Sequence, residues 1–228
     1  MAAFARLRFC LQQLRFRRRA SKTPLAHSYD VRFPEKHTPF LASRFLVVDC
    51  EMSGLNSDTH QLLSIGWVAI EQGRIQYASA KDLLINAEGG SGDSVLIHGL
   101  HDDMLAAGSS LNNILTLLVE ASKHSILVFH HAPIDLQFLQ RAAHQQFHCP
   151  LLFPYLDTLA IEKKKMERQG KHGGLRLQQC RKRYGLPETS QHNALGDAFA
   201  TAELFLAQAH YMDNTHSLCL SHLPLQCS

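Results

Sequence analysis

Apolar runs bordered by acidic residues constrain the fold of this sequence more than any other feature. Asp49 and Glu51 lie in FLVVDCEMSGL, Asp135 lies in ILVFHHAPIDLQFL, and Asp197 lies in QHNALGDAFATAEL. A carboxylate on an apolar scaffold is costly without positive compensation, and two such charges about 4 Å apart repel by roughly 4 kcal/mol at an effective dielectric near 20. If the fold gathers these acids, divalent cations are the natural compensation. Metal-assisted phosphodiester hydrolysis is therefore the first functional hypothesis.

The order of the apolar runs predicts an α/β fold with a central β-sheet flanked by helices. The predicted strands are Phe45–Cys50, Leu62–Glu71, Arg74–Leu84 and Ser125–Phe129. The predicted helices are Leu111–Ala121, Asp135–His148, Leu156–Lys165, Leu175–Tyr184 and Leu195–Met212. A three-strand meander followed by alternating helices and strands is typical of a sheet packed on helices. We predict a basic arm and irregular lead-in at 1–43, one domain at 44–212, and a short tail at 213–228.

The positive charge is concentrated in the N-terminal arm. Residues 1–22 hold seven Lys and Arg and no acid, so the rest of the chain carries 16 basic and 20 acidic residues. Phe4, Leu7, Leu11 and Leu14 recur at helical spacing among the arginines. The arm could be an amphipathic helix that docks on the body, an anionic surface or a partner, or a solvated arm. Its Arg-rich, acid-free composition also resembles an organelle transit peptide.

Composition points to a chain without a membrane span in a reducing compartment. Hydrophobic residues make up 45% and charged residues 19% of the chain, which is ordinary for a globular protein. No apolar run approaches 18 residues, so no transmembrane segment is expected. The six cysteines form no CxxC pair and are expected to be reduced thiols. We expect a cytoplasmic location, with a mitochondrial one left open by the arm.

The acids and one histidine suit metal-dependent hydrolysis. Side chains alternate along a strand, so Asp49 and Glu51 share a face and could share a cation. Hard oxygen ligands favour Mg²⁺ or Mn²⁺ over zinc. Asp135 could equally be a simple acid at a helix start. His192 lies five residues before Asp197 and has the ordinary pKa to take a proton from water near neutral pH.

Together these segments resemble the motifs of the DEDDh (DnaQ-like) 3′–5′ exonuclease family. VVDCEMSGL, FHHAPIDLQFL and HNALGDAFATAELFL are similar to its three exonuclease motifs. SVLIHGLHDDML and FPYLDTLAI are similar to two minor signatures. The resemblance spans about residues 44–210, and within the family it is strongest to proofreading-subunit-like exonucleases of bacterial replicases. It implies a ribonuclease H-like α/β exonuclease fold with a central mixed β-sheet flanked by helices.

The resemblance also implies roles for individual residues. Asp49, Glu51, Asp135 and Asp197 would bind two divalent cations, Mg²⁺ or Mn²⁺, and His192 would be the general base. The two metals, about 4 Å apart, would clamp the scissile phosphate, one activating water and the other stabilising the leaving 3′ oxygen. The histidine variant of the family fits better than the tyrosine variant, because no tyrosine precedes the last aspartate closely.

Five further residues are implied to contact the terminal nucleotide. They are Met52, Ser53, Gly54, Leu55 and His98. For Met52 and Leu55, a packed-core role is almost as well supported by the sequence.

Two other positions are interpreted structurally. His131 stands where many relatives have asparagine, and we expect this to alter a local hydrogen bond and leave the chemistry unchanged. Asp157 is better interpreted as a helix N-cap than as a fifth metal ligand.

A second basic stretch could contact a nucleic-acid strand. Lys163 to Arg183 holds nine Lys and Arg against one acid, Glu167. These side chains could follow the phosphate backbone of a single strand. A solvated pair of basic helices is an equally good interpretation.

The sequence thus predicts a metal-dependent 3′–5′ exonuclease that acts on nucleic acid, with single-stranded DNA 3′ ends as the expected substrate. The first alternative is an RNA-trimming or short-oligonucleotide exoribonuclease of the same fold. The second is a non-catalytic nucleic-acid-binding or polymerase-binding module, against which the intact catalytic positions argue. We expect a stand-alone or loosely associated enzyme, in which the N-terminal arm could dock a polymerase or another replication or repair partner.

Overall fold

A mixed six-stranded sheet forms the centre of the protein. The computed structural model describes residues 2–86, 100–189, 193–213 and 217–228. In sequence order the strands are β1 Arg44–Met52, β2 Leu62–Glu71, β3 Arg74–Leu84, β4 Ser125–Phe129, β5 Pro154–Asp157 and β6 Gln226–Cys227. Their spatial order is β3-β2-β1-β4-β5-β6. β1 pairs antiparallel with β2 and parallel with β4, and β6 runs antiparallel to β5. The central mixed β-sheet predicted from the sequence is confirmed.

Helices flank this sheet in the described part of the chain. They are α1 Ala2–Ala20, α2 Asp102–Ala106, α3 Leu111–Ala121, α4 Ala132–Phe147, α5 Thr158–Arg168, α6 Leu177–Arg183 and α7 Ala194–Met212. Short 3₁₀ helices lie at Pro24–Tyr29, Phe40–Ala42 and Leu220–His222. Every strand predicted from the sequence is present, and the predicted helices agree with the observed ones to within about three residues.

Two short strands were missed, and both depend on their partners. The predicted helix from Leu156 was wrong at its start, because Pro154–Asp157 is β5 and α5 begins at Thr158. β6, only two residues long, lies in the segment expected to be a tail. Strands this short carry little local signal, and they are ordered by pairing with β4 and with each other.

The N-terminal segment packs on the body. Phe9 and Ala20 of α1 are fully buried in the main hydrophobic cluster. The hydroxyl of Tyr29 donates to the carbonyl of Pro150 at 2.6 Å. The backbone N–H of Phe40 donates to the carbonyl of Leu218 at 2.8 Å, joining the lead-in to the C-terminal segment. The core therefore runs through both segments that flank the predicted domain.

A buried glutamate links the helices α5, α6 and α7. Glu162 of α5 accepts hydrogen bonds from Arg183 Nε at 2.9 Å, Tyr184 Oη at 2.7 Å and Gln208 Nε2 at 3.2 Å. Burial opposes the charge, but these three donors hold the pKa of Glu162 below its ordinary value. The carboxylate therefore stays ionised and fixes α5, α6 and α7 relative to one another.

A buried arginine fixes the chain that leads from α6 into α7. Arg181 is fully buried and donates to the carbonyls of Ala200 at 2.6 Å and Pro187 at 2.9 Å. It also forms an ion pair with Glu203 at 2.7 Å. These contacts hold the segment before α7 against the helix itself.

The start of α7 rests on a glycine of β2. Gly66 lies opposite Asp49 of β1 in the strand register. A Cβ atom at Gly66 would stand 2.3 Å from the backbone carbonyl carbon of Ala194 and the backbone nitrogen of Leu195. Only a residue without a side chain permits this approach. Gly66 therefore sets how closely the first turn of α7 comes to β1.

We predict that Gly66→Ala destabilises the protein, because helix backbone cannot yield as a flexible side chain can. The expected loss in the free energy of unfolding is about 1–3 kcal/mol, the usual range for overpacking, measured by denaturant unfolding. Gly196→Ala in the first turn of α7 is the matched control. Its Cβ would meet Asn193 Oδ1 at 3.4 Å, an ordinary contact, so stability should hold or rise. Equal stabilities for the two variants would contradict the prediction.

Candidate active site

The first two carboxylates lie on one face of β1. Asp49 and Glu51 alternate with Cys50, whose side chain is buried on the other face. β1 lies between β2 and β4, but β4 pairs only with Arg44 to Val47, so the stretch that carries Asp49 and Glu51 is held in the sheet by its pairing with β2. The register of β1 and β2 shifts between Glu51 and Met52, a local irregularity of the kind that re-aims side chains beside active sites.

The third carboxylate comes from the first turn of α7. Asn193 caps this helix, and its Oδ1 accepts from the backbone N–H of Gly196 at 2.8 Å. The capped turn carries Asp197 toward β1, where one ligand oxygen from each of Asp49, Glu51 and Asp197 lies within 4.8 Å of the others. Acids separated by almost 150 positions in the sequence therefore form one cluster, which we call the carboxylate cluster.

Asp135 lies against this cluster from the opposite side of β1. It is buried in the first turn of α4, and its Oδ1 accepts from the backbone N–H of Cys50 at 3.1 Å. That N–H belongs to the residue between Asp49 and Glu51. The structure therefore brings all four predicted acids together, with Asp135 bonded to the backbone that carries the first two.

The acids raise one another's pKa values. Burial, followed by the charges of Asp135, Asp197 and Glu51, raises the pKa of Asp49 well above its ordinary value. Burial and the charges of Asp197 and Asp82 raise the pKa of Glu51 to about 7. Burial raises the pKa of Asp135 to about 8 against the opposing hydrogen bonds from Cys50 and its own backbone. The site therefore favours protons or another cation over bare negative charge.

The donor set fits hard divalent cations. Among the described residues, no Lys or Arg forms an ion pair with Asp49, Glu51 or Asp135. Several carboxylate oxygens that converge form the type of site that Mg²⁺ or Mn²⁺ occupies. The cluster thus has the ligands for metal binding.

Asp157 and His131 connect the starts of α4 and α5. Asp157 Oδ1 accepts from the N–H of Leu159 at 2.9 Å and from the N–H of His131 at 2.9 Å. The predicted N-cap role of Asp157 is confirmed, and the same oxygen also joins the starts of α4 and α5. His131 has φ 72° and ψ 52°, the left-handed region in which Asn, Asp and His are enriched among non-glycine residues. Histidine is thus one of the residue types that this backbone conformation favours.

The segment after β1 presents one exposed apolar side chain. Met52 packs partly against the core, whereas Leu55 is 75% exposed, so the packed-core interpretation holds only for Met52. Ser53 exchanges hydrogen bonds with Gln61, and Leu55 O accepts from Gln137 Nε2 at 3.0 Å. The turn is thus anchored through its backbone while the Leu55 side chain projects into solvent.

Two predicted site residues, His98 and His192, lie outside the described residues. One contributor was missed by the sequence interpretation. Asp82 of β3 lies opposite Gly66 in the register, its Oδ2 accepts from Asn193 Nδ2 at 3.3 Å, and its charge raises the pKa of Glu51. Only the strand register could have indicated Asp82, because the sequence predicted β3 as a strand without showing which residue of β2 lies opposite Asp82.

The second basic stretch is less uniform than its sequence suggested. Arg181 is buried, Arg183 pairs with Glu162, and Lys165 lies over the rings of Tyr184 and Tyr211 at 4.0 and 3.8 Å. Six other basic residues of the stretch are exposed: Lys163, Lys164, Arg168, Lys171, Arg176 and Lys182. These six remain candidates for contact with a phosphate backbone.

Among the described residues, no helix has both the length and the apolar character needed to cross a membrane.

Sequence comparisons place the chain in a known family. The exonuclease family model (RNase T type) matches residues 46–205. The DNA polymerase III subunit epsilon-like protein of Rhodobacter capsulatus is 31% identical over 176 residues, covering 74% of this chain and 24% of that protein. The PolC-type DNA polymerase III of Thermotoga petrophila is 30% identical over 169 residues, covering 73% of this chain and 12% of that protein. The match thus spans about a quarter or less of these relatives.

Solved structures share the fold. Cell-death related nuclease 4 (CRN-4) superposes with a TM-score of 0.66 at 13% identity, covering 85% of this chain and 82% of that one. E. coli Exonuclease I in complex with a dT13 oligonucleotide gives a TM-score of 0.60 at 13% identity, covering 73% and 41%. The ribonuclease H-like exonuclease fold implied by the motifs is confirmed. With the family model covering most of the chain, we conclude that this chain belongs to the exonuclease family.

Proposed function

We propose that this protein is a metal-dependent 3′–5′ exonuclease of the DEDDh type that shortens single-stranded DNA from its 3′ end. The carboxylate cluster carries the proposal. Asp49, Glu51 and Asp197 offer converging oxygens within 4.8 Å of one another, and like charges at this distance repel unless a cation compensates them. Membership of the exonuclease family supports hydrolysis of phosphodiesters. The oligonucleotide bound to the structurally similar Exonuclease I supports a single-stranded substrate.

Each residue has a distinct task in the proposal. Asp49, Glu51 and Asp197 would hold the cations, and Asp135 would complete the ligand set from the first turn of α4. Two bound cations would supply the activated water and the stabilisation of the leaving 3′ oxygen. His192, which immediately precedes the helix-capping Asn193 in sequence, takes the proton of the attacking water. The product is a nucleoside 5′-monophosphate.

The surroundings of the cluster suit a 3′ end. The exposed Leu55 side chain, beside Met52, Ser53 and Gly54, provides an apolar contact for the terminal nucleotide. We assign His98 a further contact with the same nucleotide. The six exposed basic residues of the second basic stretch provide positive charge for the strand, which the acidic cluster itself would repel.

We predict that Asp197→Asn abolishes cleavage, because a neutral amide replaces one of three converging oxygen ligands. The loss should be roughly 100-fold or more, since even outer-shell changes at metal sites cost about 10–100-fold. The measurement is digestion of a 5′-labelled DNA oligonucleotide and its RNA counterpart with Mg²⁺, with Mn²⁺ and with chelator. Products should shorten from the 3′ end, and circular single-stranded DNA should resist.

Asp213→Asn, at the far end of α7, is the matched control and should cleave at the wild-type rate. Cleavage of the circular DNA would contradict an exonuclease. Faster digestion of RNA would assign the exoribonuclease alternative. A folded wild-type protein that cleaves neither polymer would leave only the binding module.

We predict that metal-free stability falls as pH rises through neutrality. The pKa of Glu51 is about 7 in the fold against an ordinary value of 4.5, so the folded protein holds the proton more tightly than the unfolded chain. Its contribution is fully present below pH 4.5 and is lost as pH rises through about 7. Mg²⁺ should restore stability more at pH 8 than at pH 5.5, because it competes with protons for the same oxygens.

Thermal unfolding with chelator or Mg²⁺ across this pH range provides the measurement. Glu51→Gln should flatten the pH dependence and reduce the gain from Mg²⁺. Metal-free stability that rises from pH 5.5 to 8 relative to Glu51→Gln would be incompatible with the prediction.

A further inference from the structure

Helix α1 has two apolar faces, and the body covers only one of them. On the covered face, Ala5, Phe9 and Ala20 are buried, and the Phe9 ring meets Phe33 edge-on at a centroid distance of 5.3 Å. Gln13 on the same side donates to the carbonyl of Val31 at 2.6 Å. These contacts hold α1 in a fixed orientation on the protein.

The opposite face exposes four large apolar side chains. Phe4 is 74% exposed, Leu7 58%, Leu11 57% and Leu14 78%. At 100° per residue they fall within about 80° of the helix circumference and extend over roughly 15 Å of its length. Four neighbouring side chains of this size form a patch, which marks an interaction site more often than a single exposed residue does. We call these four residues the α1 seam.

The spacing of the α1 seam fits packing against another helix. Its intervals of three, four and three residues place Phe4 and Leu11 at a positions and Leu7 and Leu14 at d positions of a heptad. A helix lying in a membrane surface needs one broad apolar face and a polar opposite face. In α1 the opposite face is itself apolar and buried, so the narrow helix-packing seam is the better description.

The charges beside the α1 seam select the kind of helix. Arg8 and Arg15 occupy the e positions, Arg17 occupies a g position, and all three are exposed. Residues 1–22 contain no acid, and the only described ion pair of α1 joins Arg17 to Asp30 at 2.9 Å. In an antiparallel second copy of α1 the e-position arginines would face one another, and in either orientation two Arg-rich segments without an acid would repel. A complementary helix must carry Glu or Asp beside its own apolar residues.

The α1 seam is remote from the carboxylate cluster. α1 packs along β6, an edge strand of the sheet, whereas Asp49 and Glu51 lie on β1. Three strand spacings separate β6 from β1, about 14 Å at the usual strand separation. A helix bound at the α1 seam would leave the carboxylate cluster open.

We propose that the α1 seam is a docking surface for an acidic amphipathic helix of a partner protein. The seam supplies the apolar contact, and Arg8 and Arg15 supply the charge selectivity, since Arg17 is paired with Asp30. This assignment is independent of the exonuclease activity, since it rests on the exposure, spacing and charge of α1 alone.

The test uses labelled synthetic helical peptides and the full chain, with binding followed by fluorescence anisotropy. One peptide carries Leu at its a and d positions and Glu at e and g; a second carries Lys at e and g. The Glu peptide should bind saturably and more weakly as salt rises. The Lys peptide should bind at least tenfold more weakly, a difference of about 1.4 kcal/mol.

Variants separate the apolar from the charged contribution. Leu7→Ser with Leu11→Ser should weaken the Glu peptide at least tenfold, and Arg8→Glu with Arg15→Glu should reverse the preference between the peptides. Arg6→Glu makes a single reversal of this kind at a c position, away from the seam, and should change affinity by less than about twofold. Leu117→Ser on α3, where Leu117 is 41% exposed, should leave binding unchanged. Circular dichroism melts confirm that each variant is folded.

Three results would overturn the proposal. Equal binding of both peptides, or binding of neither, would contradict a docking surface that selects an acidic helix. Sedimentation of the wild type as a dimer that Leu7→Ser with Leu11→Ser dissociates would assign the seam to a second copy. Leu-dependent binding to vesicles containing phosphatidylglycerol, without binding of the Glu peptide, would assign it to an anionic membrane.

Discussion

Mutual repulsion of carboxylates is the constraint around which this fold is arranged. Asp49, Glu51 and Asp197 would separate if their backbones were free, since each such pair costs roughly 4 kcal/mol at about 4 Å. The backbone is not free, because the part of β1 that carries Asp49 and Glu51 is paired with β2 and the start of α7 packs on Gly66. The strain appears as raised pKa values, and a cation relieves it. The stability of the sheet thus keeps the three carboxylates close together. Because their repulsion destabilises the metal-free site, a cation that bound there would relieve that repulsion.

A second set of interactions keeps that site in shape without touching it. Asp157 joins the starts of α4 and α5 and so fixes the turn that carries Asp135. Glu162 and Arg181 fix α6 and α7 from the buried side. These charges are buried with several donors or acceptors each, the condition under which a buried ionic group is tolerated. Of the second basic stretch, Arg181 is buried and Arg183 is paired with Glu162, so fewer basic residues remain for a nucleic-acid strand.

The carboxylate cluster and the α1 seam lie toward different edges of the sheet. The carboxylate cluster lies over β1 with support from β2 and β3, and the termini of the chain close the other edge at β5 and β6. α1 covers that second edge with one face and presents the α1 seam with the other. Under the two proposals, substrate access and partner docking would be separated in space, and a bound helix could tether the protein while the carboxylate cluster stays open.

The sequence by itself determined the α/β class, the first four strands and the acids of the site. Strand periodicity and apolar runs are local, and an acid beside such a run stands out because its burial is costly. Tertiary structure alone decided the rest. β5 and β6 exist only through pairing, and Asp82 reaches the site only through the register with Gly66. Which basic residues are buried, and which face of α1 is covered, also depends on contacts between distant segments. A local sequence pattern cannot encode such contacts, because the burial of a side chain depends on neighbours that are distant in the sequence.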